Sequence, residues 1–536
     1  MFDLVIKNGL VIDGTGRPGF RADLGIAGDR IARVGELDSP GRRILDAEGC
    51  AVAPGFIDIH SHTDELVFAN PTCESKLTQG VTTELSGNCG DSAAPRGGRQ
   101  NLESGESWLS RLGIEPDWGT MDEFLSRLEK LPMSINFATL VGHGTIRSFV
   151  MGYDDRPPTD DELEEMRRIA EDAVRIGAFG VSSGLIYPPG CYARTEELIE
   201  VCRGASPHGG VYATHMRSEA GRLVEAVEEA IRVGREAGVG VQISHHKACG
   251  VSYWGLVNDS LAVIDEARSQ GFDVWADQYP YLATHTGLGI MLPSWAHDGG
   301  TPALMARLED PEQRRKIREA VLEDMNSGYL AHSGGWETVV ISSVHDEKNL
   351  FCEGLSIAEI ARRLEKHPVD AALDLLHDEH GGVGMMHFVI NEDDVKTVMR
   401  HPAVLIGSDA GARSLTGPMS KGKPHPRAYG TFARVLGKYV REEGVLTLEE
   451  AIAKMTGRTA SRLGLGGRGI LAEGYTADIT IFDPERIADT ATFENAHSPA
   501  AGVRYVIVNG RVALDEGHVV ELTERGFGRV LRRGAN

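Results

Sequence analysis

The chain has 536 residues and carries 78 acidic against 55 basic side chains, a formal net charge of -23, so nucleic acid and anionic membrane surfaces, which need the opposite field, are excluded as natural partners. A small-molecule substrate fits better, and the length suits one large barrel with a smaller satellite domain. Seven scattered cysteines do not resemble the framework of a secreted scaffold, and no basic leader or bilayer-length apolar run is present, so the expected setting is a reducing cytoplasm.

From the N-terminus, Asp3–Lys7, Gly9–Asp13, Ala22–Ile26 and Arg30–Val34 read as short strands, with turns expected at Asn8-Gly9 and Gly28-Asp29. The same style returns in Ala477–Pro484 and Val503–Val512, so residues 1–53 and 466–536 are expected to build one small β-domain. Between them, over 54–465, strands alternate with amphipathic helices, the signature of βα units and a parallel sheet. Eight strands are readable: Gly55–His60, Val81–Ser86, Ile135–His143, Ala178–Ser183, Val211–His215, Val239–His245, Phe272–Gln278 and Ala403–Asp409. They predict an α/β fold, a closed (β/α)8 TIM-type barrel. Thr159 and Glu162 form a capping-box signature, followed by Leu163, Met166, Ile169, Ala170 and Val174 at helical spacing. One irregular span, about 288–345, falls between the last two strands and is expected to lie over the barrel mouth as a lid-like insertion.

The strand ends carry the chemistry. His60 and His62 leave strand one on the same side, since residues i and i+2 share a face. Strand two runs into Gly87-Asn88-Cys89-Gly90, strand five ends in His215, strand six in His245 and strand eight in Asp409. Each read alone has an ordinary structural explanation: a polar strand end, a buried thiol, a turn aspartate. In a barrel, however, these ends converge on one mouth, where four histidines, a cysteine and an aspartate suit a metal centre with an adjacent proton carrier. His143 and His246 are expected to be structural, His246 because it must face away from its neighbour His245.

These residues resemble the amidohydrolase superfamily, and within it the N-acyl-D-amino-acid deacylases (D-aminoacylases). The resemblance rests on Pro54–His62, Ser86–Gly90, Ser182–Pro189, Ala213–Arg217, Ile243–Lys247, Gln278–Tyr281, Gly407–Asp409 and His425–Phe432, and continues through Lys454–Ala460 into the C-terminal β unit. It implies that Cys89, standing where many relatives use a carbamylated lysine, holds a tight zinc with His215 and His245. His60 and His62, sharing Cys89, would form a weaker second site. It further implies that Arg427 and Tyr279 hold the substrate carboxylate, that Tyr187 lines the pocket, and that Asp409 shuttles the proton. Residue His285 stands where the family commonly has a small polar residue, which bears on the substrate more than on the reaction. Zinc with three protein ligands keeps a position for water and makes it a nucleophile near neutral pH, while the planar fork of arginine suits a carboxylate.

Two other readings compete. A cyclic-amide hydrolase of the hydantoinase or dihydroorotase kind shares the barrel and the His-x-His pair, but generally takes a lysine from strand four, which here reads Ala178–Leu185 without one. A non-catalytic binding homologue would have less reason to keep the whole ligand set and Asp409.

Overall fold

The computed structural model describes residues 1–38, 41–99 and 109–534, so the last two residues of the expected terminal β segment lie outside it. Parallel strands Phe56–Asp58, Val81–Ser86, Asn136–Thr139 continued by Val141–Gly142, Gly180–Gly184, Val211–His215, Gly240–Ile243, Val274–Gln278 and Val404–Ile406 pair in chain order. The ring closes where Ser61 bridges Ala410 and the Asp409 amide donates to the His60 carbonyl at 2.8 Å. Every residue of Val81–Ser86 and Val211–His215 is buried, as expected of strands covered on both faces. Helices pack outside. In Asp160–Arg175 the Thr159–Glu162 capping box is formed, and Met166, Ala170, Ala173 and Val174 are buried against the barrel.

The chain ends share one nine-stranded sheet, joined at an antiparallel seam that pairs Ala51–Pro54 with Ile479–Phe482. Its core contains Leu4, Ile6, Leu24, Ile479 and Ile507. The turn expected at Asn8-Gly9 is absent: both lie inside the single strand Phe2–Val11, where the register shifts between Ile6 and Gly9 and Asn8 takes φ 63°. A bulge absorbs the left-handed preference that a hairpin would otherwise have used. After His518–Val519 the chain leaves this sheet and returns to the barrel floor, where the Phe137 amide donates to Arg529 O at 2.9 Å and the Leu531 amide to Phe137 O at 2.7 Å.

The span 288–345 lies within a longer excursion. Strands Thr284–Gly287, Val339–Ser343 and Gly384–His387 form an antiparallel sheet, covered by helices that include Gly300–Glu309, Pro311–Ser327 and Pro368–Asp378. Leu304, Leu308, Ile317, Val321, Leu373 and Leu376 give it a hydrophobic core of its own. Among the described residues, no helix is long and apolar enough to cross a membrane.

Candidate active site

The barrel mouth opens into a cavity of about 1650 Å³, roofed in part by Ile290, Met291, Met385 and His387 of the excursion. Three residues on its floor have left-handed backbone: Cys89 at φ 54°, His245 at φ 36° and Asp409 at φ 51°. Such strained positions persist only where surrounding contacts over-determine them. Here they turn each side chain off the strand direction and into the mouth. Cys89 is seated between two glycines with no room for a side chain: a Cβ on Gly87 would lie 2.3 Å from Leu140 O, and one on Gly90 2.5 Å from Gly184 N.

The thiol is the hub of the cluster. Cys89 Sγ lies 3.3 Å from His60 Nε2 and 3.4 Å from His245 Nε2. Donor atoms of Cys89, His215 and His245 fall within 4.8 Å of one another, and so do those of His60, His62, Cys89 and Asp409. Asp409 Oδ1 is 3.0 Å from His62 Nε2 and 3.4 Å from His60 Nε2, so the carboxylate expected as a proton carrier also stands within ligand range. Opposite nitrogens of two rings are held by carboxylates: His60 Nδ1 by Asp277 Oδ1 at 3.0 Å, and His245 Nδ1 by Glu219 Oε1 at 2.9 Å. Partners of this kind fix the tautomer and aim Nε2 at a metal.

The donor set fits a divalent metal of zinc's character. Burial opposes ionisation of Cys89, but His60 and His245, whose Nε2 atoms lie 3.3 and 3.4 Å from Sγ, overcome it and hold the thiol well below its ordinary value, in the thiolate form that binds metals. Burial lowers the pKa of His215 and keeps its imidazole neutral. Both His215 ring nitrogens are buried without a hydrogen-bond partner among the described residues, a costly state unless another group takes a lone pair. One thiolate and a neutral His215 imidazole, with the rings of His60, His62 and His245 beside them, make a soft, tetrahedral-compatible set of donor types.

The amidohydrolase family model matches residues 43–514. The chain is 39% identical over 535 residues to a D-aminoacylase of Alcaligenes xylosoxydans xylosoxydans, covering 100% of this chain and 98% of that one. The chain belongs to the amidohydrolase family. Its fold superimposes with a TM-score of 0.83, at 34% identity and 99% coverage of both chains, on an N-acyl-D-glutamate deacylase from Bordetella bronchiseptica solved with zinc and a phosphonate mimic of the tetrahedral intermediate. A D-hydantoinase matches with a TM-score of 0.56 at 16% identity, a likeness of fold alone.

Beside the thiol hub, this amidohydrolase gathers the other residues singled out from its sequence. The Arg427 guanidinium stacks 4.5 Å over the Tyr279 ring and approaches Asp409 Oδ2 to 2.7 Å, an ion-pair contact without hydrogen-bond geometry. Arg427 Nε and Nη1 and the Tyr279 hydroxyl are buried with no hydrogen-bond partner among the described residues. Burial opposes the charge of Asp409, yet Arg427, His245, His62 and His60 hold its carboxyl well below the usual range. Tyr187 accepts a hydrogen bond from Thr286 Oγ1 at 3.2 Å and packs 5.0 Å from the His215 ring. His285 pairs with Ser342 Oγ at 3.0 Å, and burial together with the charges of Arg427 and Arg413 pushes its pKa to about 3. Of the two histidines set aside, His246 pairs with Ser260 Oγ at 3.0 Å and His143 with Glu197 at 2.9 Å.

Sequence reasoning missed the support beneath these groups. Lys247 Nζ donates to Glu219 Oε1 at 2.5 Å and to the His245 carbonyl at 2.9 Å, and lies 5.5 Å over the Tyr279 ring. Its signal was present two residues after His245, on the same face. A second lysine, Lys76, is wholly buried and ties Asp58 Oδ2, Ser408 Oγ and Ala410 O at 2.6, 2.7 and 2.6 Å. It clamps strand one to the turn that bears Asp409, and nothing local in Glu74–Leu77 distinguishes it from a surface lysine.

Proposed function

We infer that this amidohydrolase hydrolyses the linear amide of N-acyl-D-amino acids, releasing a carboxylate and a free D-amino acid. One observation carries the reading: the metal-ligand cluster shares its cavity with the Arg427 guanidinium, which is ion-paired with Asp409 but has buried N–H groups that make no hydrogen bond among the described residues, and with the Tyr279 hydroxyl, which makes none either. Groups of that kind suit a free carboxylate one residue's length from the scissile bond, where a bidentate guanidinium adds both energy and orientation. The relatives, a D-aminoacylase and an N-acyl-D-glutamate deacylase by name, support the same chemistry.

Cys89, His215 and His245 would hold zinc tightly, and His60, His62 and Cys89 a weaker second ion. When bound, zinc supplies Lewis acidity, polarising the amide carbonyl and making water acidic near neutral pH. The protein's own residues do the rest. Asp409, ionised at neutral pH, accepts the proton of the attacking water and returns it to the departing nitrogen, which leaves poorly unless protonated. Arg427 and Tyr279 fix the α-carboxylate and thereby the handedness of the bound amino acid, with Tyr187 and His285 lining the remaining wall. The reducing, cytoplasmic setting and the small-molecule partner belong to the same proposal. The cyclic-amide reading is less well supported, because many such rings lack a carboxylate for Arg427 and strand Gly180–Gly184 offers no lysine.

Amine release from N-acetyl-D-leucine and N-acetyl-L-leucine tests the reading. Turnover should be confined to the D isomer, and Arg427→Lys should raise KM strongly, since a point charge cannot reproduce two parallel bonds worth about 1.5–3 kcal/mol each when charged. Equal rates on both isomers, or unchanged kinetics in Arg427→Lys, would refute it.

A further inference from the structure

The cavity contains several cations, and nearly all of them have anionic partners. Lys247 is taken by Glu219, Arg217 by Glu229 at 3.0 Å, Arg427 by Asp409 and Arg96 by Glu65. Arg413 is different. Its side chain lines the same cavity and, among the described residues, makes no hydrogen bond, ion pair or ring contact. Its backbone, by contrast, is pinned: the Arg413 amide donates to Ser75 Oγ at 2.8 Å, and its carbonyl accepts from the Ser75 amide at 3.1 Å. The next residues are tied as well, Ser414 Oγ donating to Glu74 Oε2 at 2.8 Å and Ser414 O accepting from the Tyr429 hydroxyl at 2.9 Å. An anchored loop thus holds out one unpaired guanidinium that is largely withdrawn from solvent, a costly arrangement unless an anion arrives to meet it.

The surroundings say where that anion comes from. The charges of Arg427 and Arg413 both act on His285, which burial and those fields keep neutral. The acidic side chains elsewhere on the wall leave Arg413 unmatched: Glu65 is paired with Arg96, and burial raises the carboxyl pKa of Asp64 and of Asp91. A ligand with a second carboxylate would therefore meet its unpaired cation at Arg413. We propose that Arg413 is a specificity residue that binds a second carboxylate of the substrate, so that the preferred substrates are dianionic N-acyl-D-amino acids. The proposal rests on the deacylase reading, in which Arg427 and Tyr279 already hold the α-carboxylate. The second carboxylate can belong to the amino-acid side chain, as in a D-glutamate or D-aspartate derivative, or to a dicarboxylic acyl group such as succinyl.

The test compares kcat/KM of the zinc-loaded enzyme on N-acetyl-D-glutamate, N-acetyl-D-aspartate, N-succinyl-D-leucine and N-acetyl-D-leucine, for the wild type, Arg413→Met and Arg413→Lys. The wild type should favour at least one dianionic substrate over N-acetyl-D-leucine, and Arg413→Met should shrink that ratio by roughly 10- to 100-fold, chiefly through KM, as expected for a lost charge-assisted pair. Arg413→Lys should recover part of the ratio. Whether the loss falls on the D-glutamate and D-aspartate arms or on the succinyl arm identifies the source of the carboxylate. Zinc content and melting temperature matching the wild type exclude misfolding. If N-acetyl-D-leucine is turned over but the ratio does not respond to either variant, or all substrates fall equally, the Arg413 assignment is overturned while the deacylase reading stands. If no N-acyl-D-amino acid is turned over by the zinc-loaded wild type, both are overturned.

Discussion

Removing one buried ammonium should disable the catalytic turn from below. In Lys76→Met the side chain keeps its approximate length but loses three short bonds, to Asp58 Oδ2 at 2.6 Å, Ser408 Oγ at 2.7 Å and Ala410 O at 2.6 Å. Lys76 and Asp58 are both fully buried, so the substitution strands a carboxylate in the interior. Breaking one side of a buried pair costs about 3–5 kcal/mol. Asp58 still accepts from the Ser408 amide at 2.8 Å, the Ser408 hydroxyl at 2.6 Å and the His60 amide at 3.2 Å, which places the expected loss at the lower end of that range. Because Ser408 and Ala410 flank Asp409, the turn loses its clamp, and a displacement near 1 Å at the proton carrier lowers kcat on the order of 10²-fold. Guanidinium denaturation and turnover would be measured on Lys76→Met, Asp58→Asn and the double variant. The double variant should recover part of the stability, since neither charge is then left alone, without recovering kcat. A stability loss under about 1 kcal/mol in Lys76→Met, or strict additivity in the cycle, would refute the view that this pair is one interdependent unit.

Three further outcomes are expected. Cys89→Ala should lose most of the bound zinc as measured by metal analysis, because the thiolate is the shared anionic donor of both clusters; full metal retention would make Cys89 structural. Asp409→Asn should retain zinc and lose turnover by about 10²-fold or more, since an amide cannot carry the proton; near-normal turnover would move that role elsewhere. The Arg156 guanidinium bonds Glu162 at 2.7 and 2.8 Å and, against the effect of burial, lowers its pKa from 4.5 to about 2. A depressed carboxylate stabilises the folded state above pH 4.5 and loses that contribution as pH falls towards 2. Glu162→Gln, which can still cap the helix, should therefore cost about 0.5–1 kcal/mol near neutrality after solvent screening, and the gap to the wild type should close across that window; a gap independent of pH would contradict it.

Periodicity and residue type alone determined much of this protein. Eight apolar runs separated by helical patterns dictate a barrel, because strands covered on both faces must be continuously apolar, and a barrel brings its strand ends to one mouth whatever the loop lengths. The positions of His60, His62, His215 and His245 at those ends therefore suffice to bring them together. Tertiary structure decided what has no local signature. Lys76 and Arg413 are ordinary basic residues in the sequence; only packing shows that one is wholly buried beneath the turn that bears Asp409 and that the other lines the cavity with no anionic partner among the described residues. The left-handed backbone of Cys89, His245 and Asp409 is equally invisible locally, since residues of these types adopt it only where contacts from distant strands meet the cost. Strand alternation separates His245 from His246, but the contact that anchors the His245 backbone, its amide donating to the Asp277 carboxylate at 2.8 Å across 32 residues of chain, is set by the tertiary structure alone.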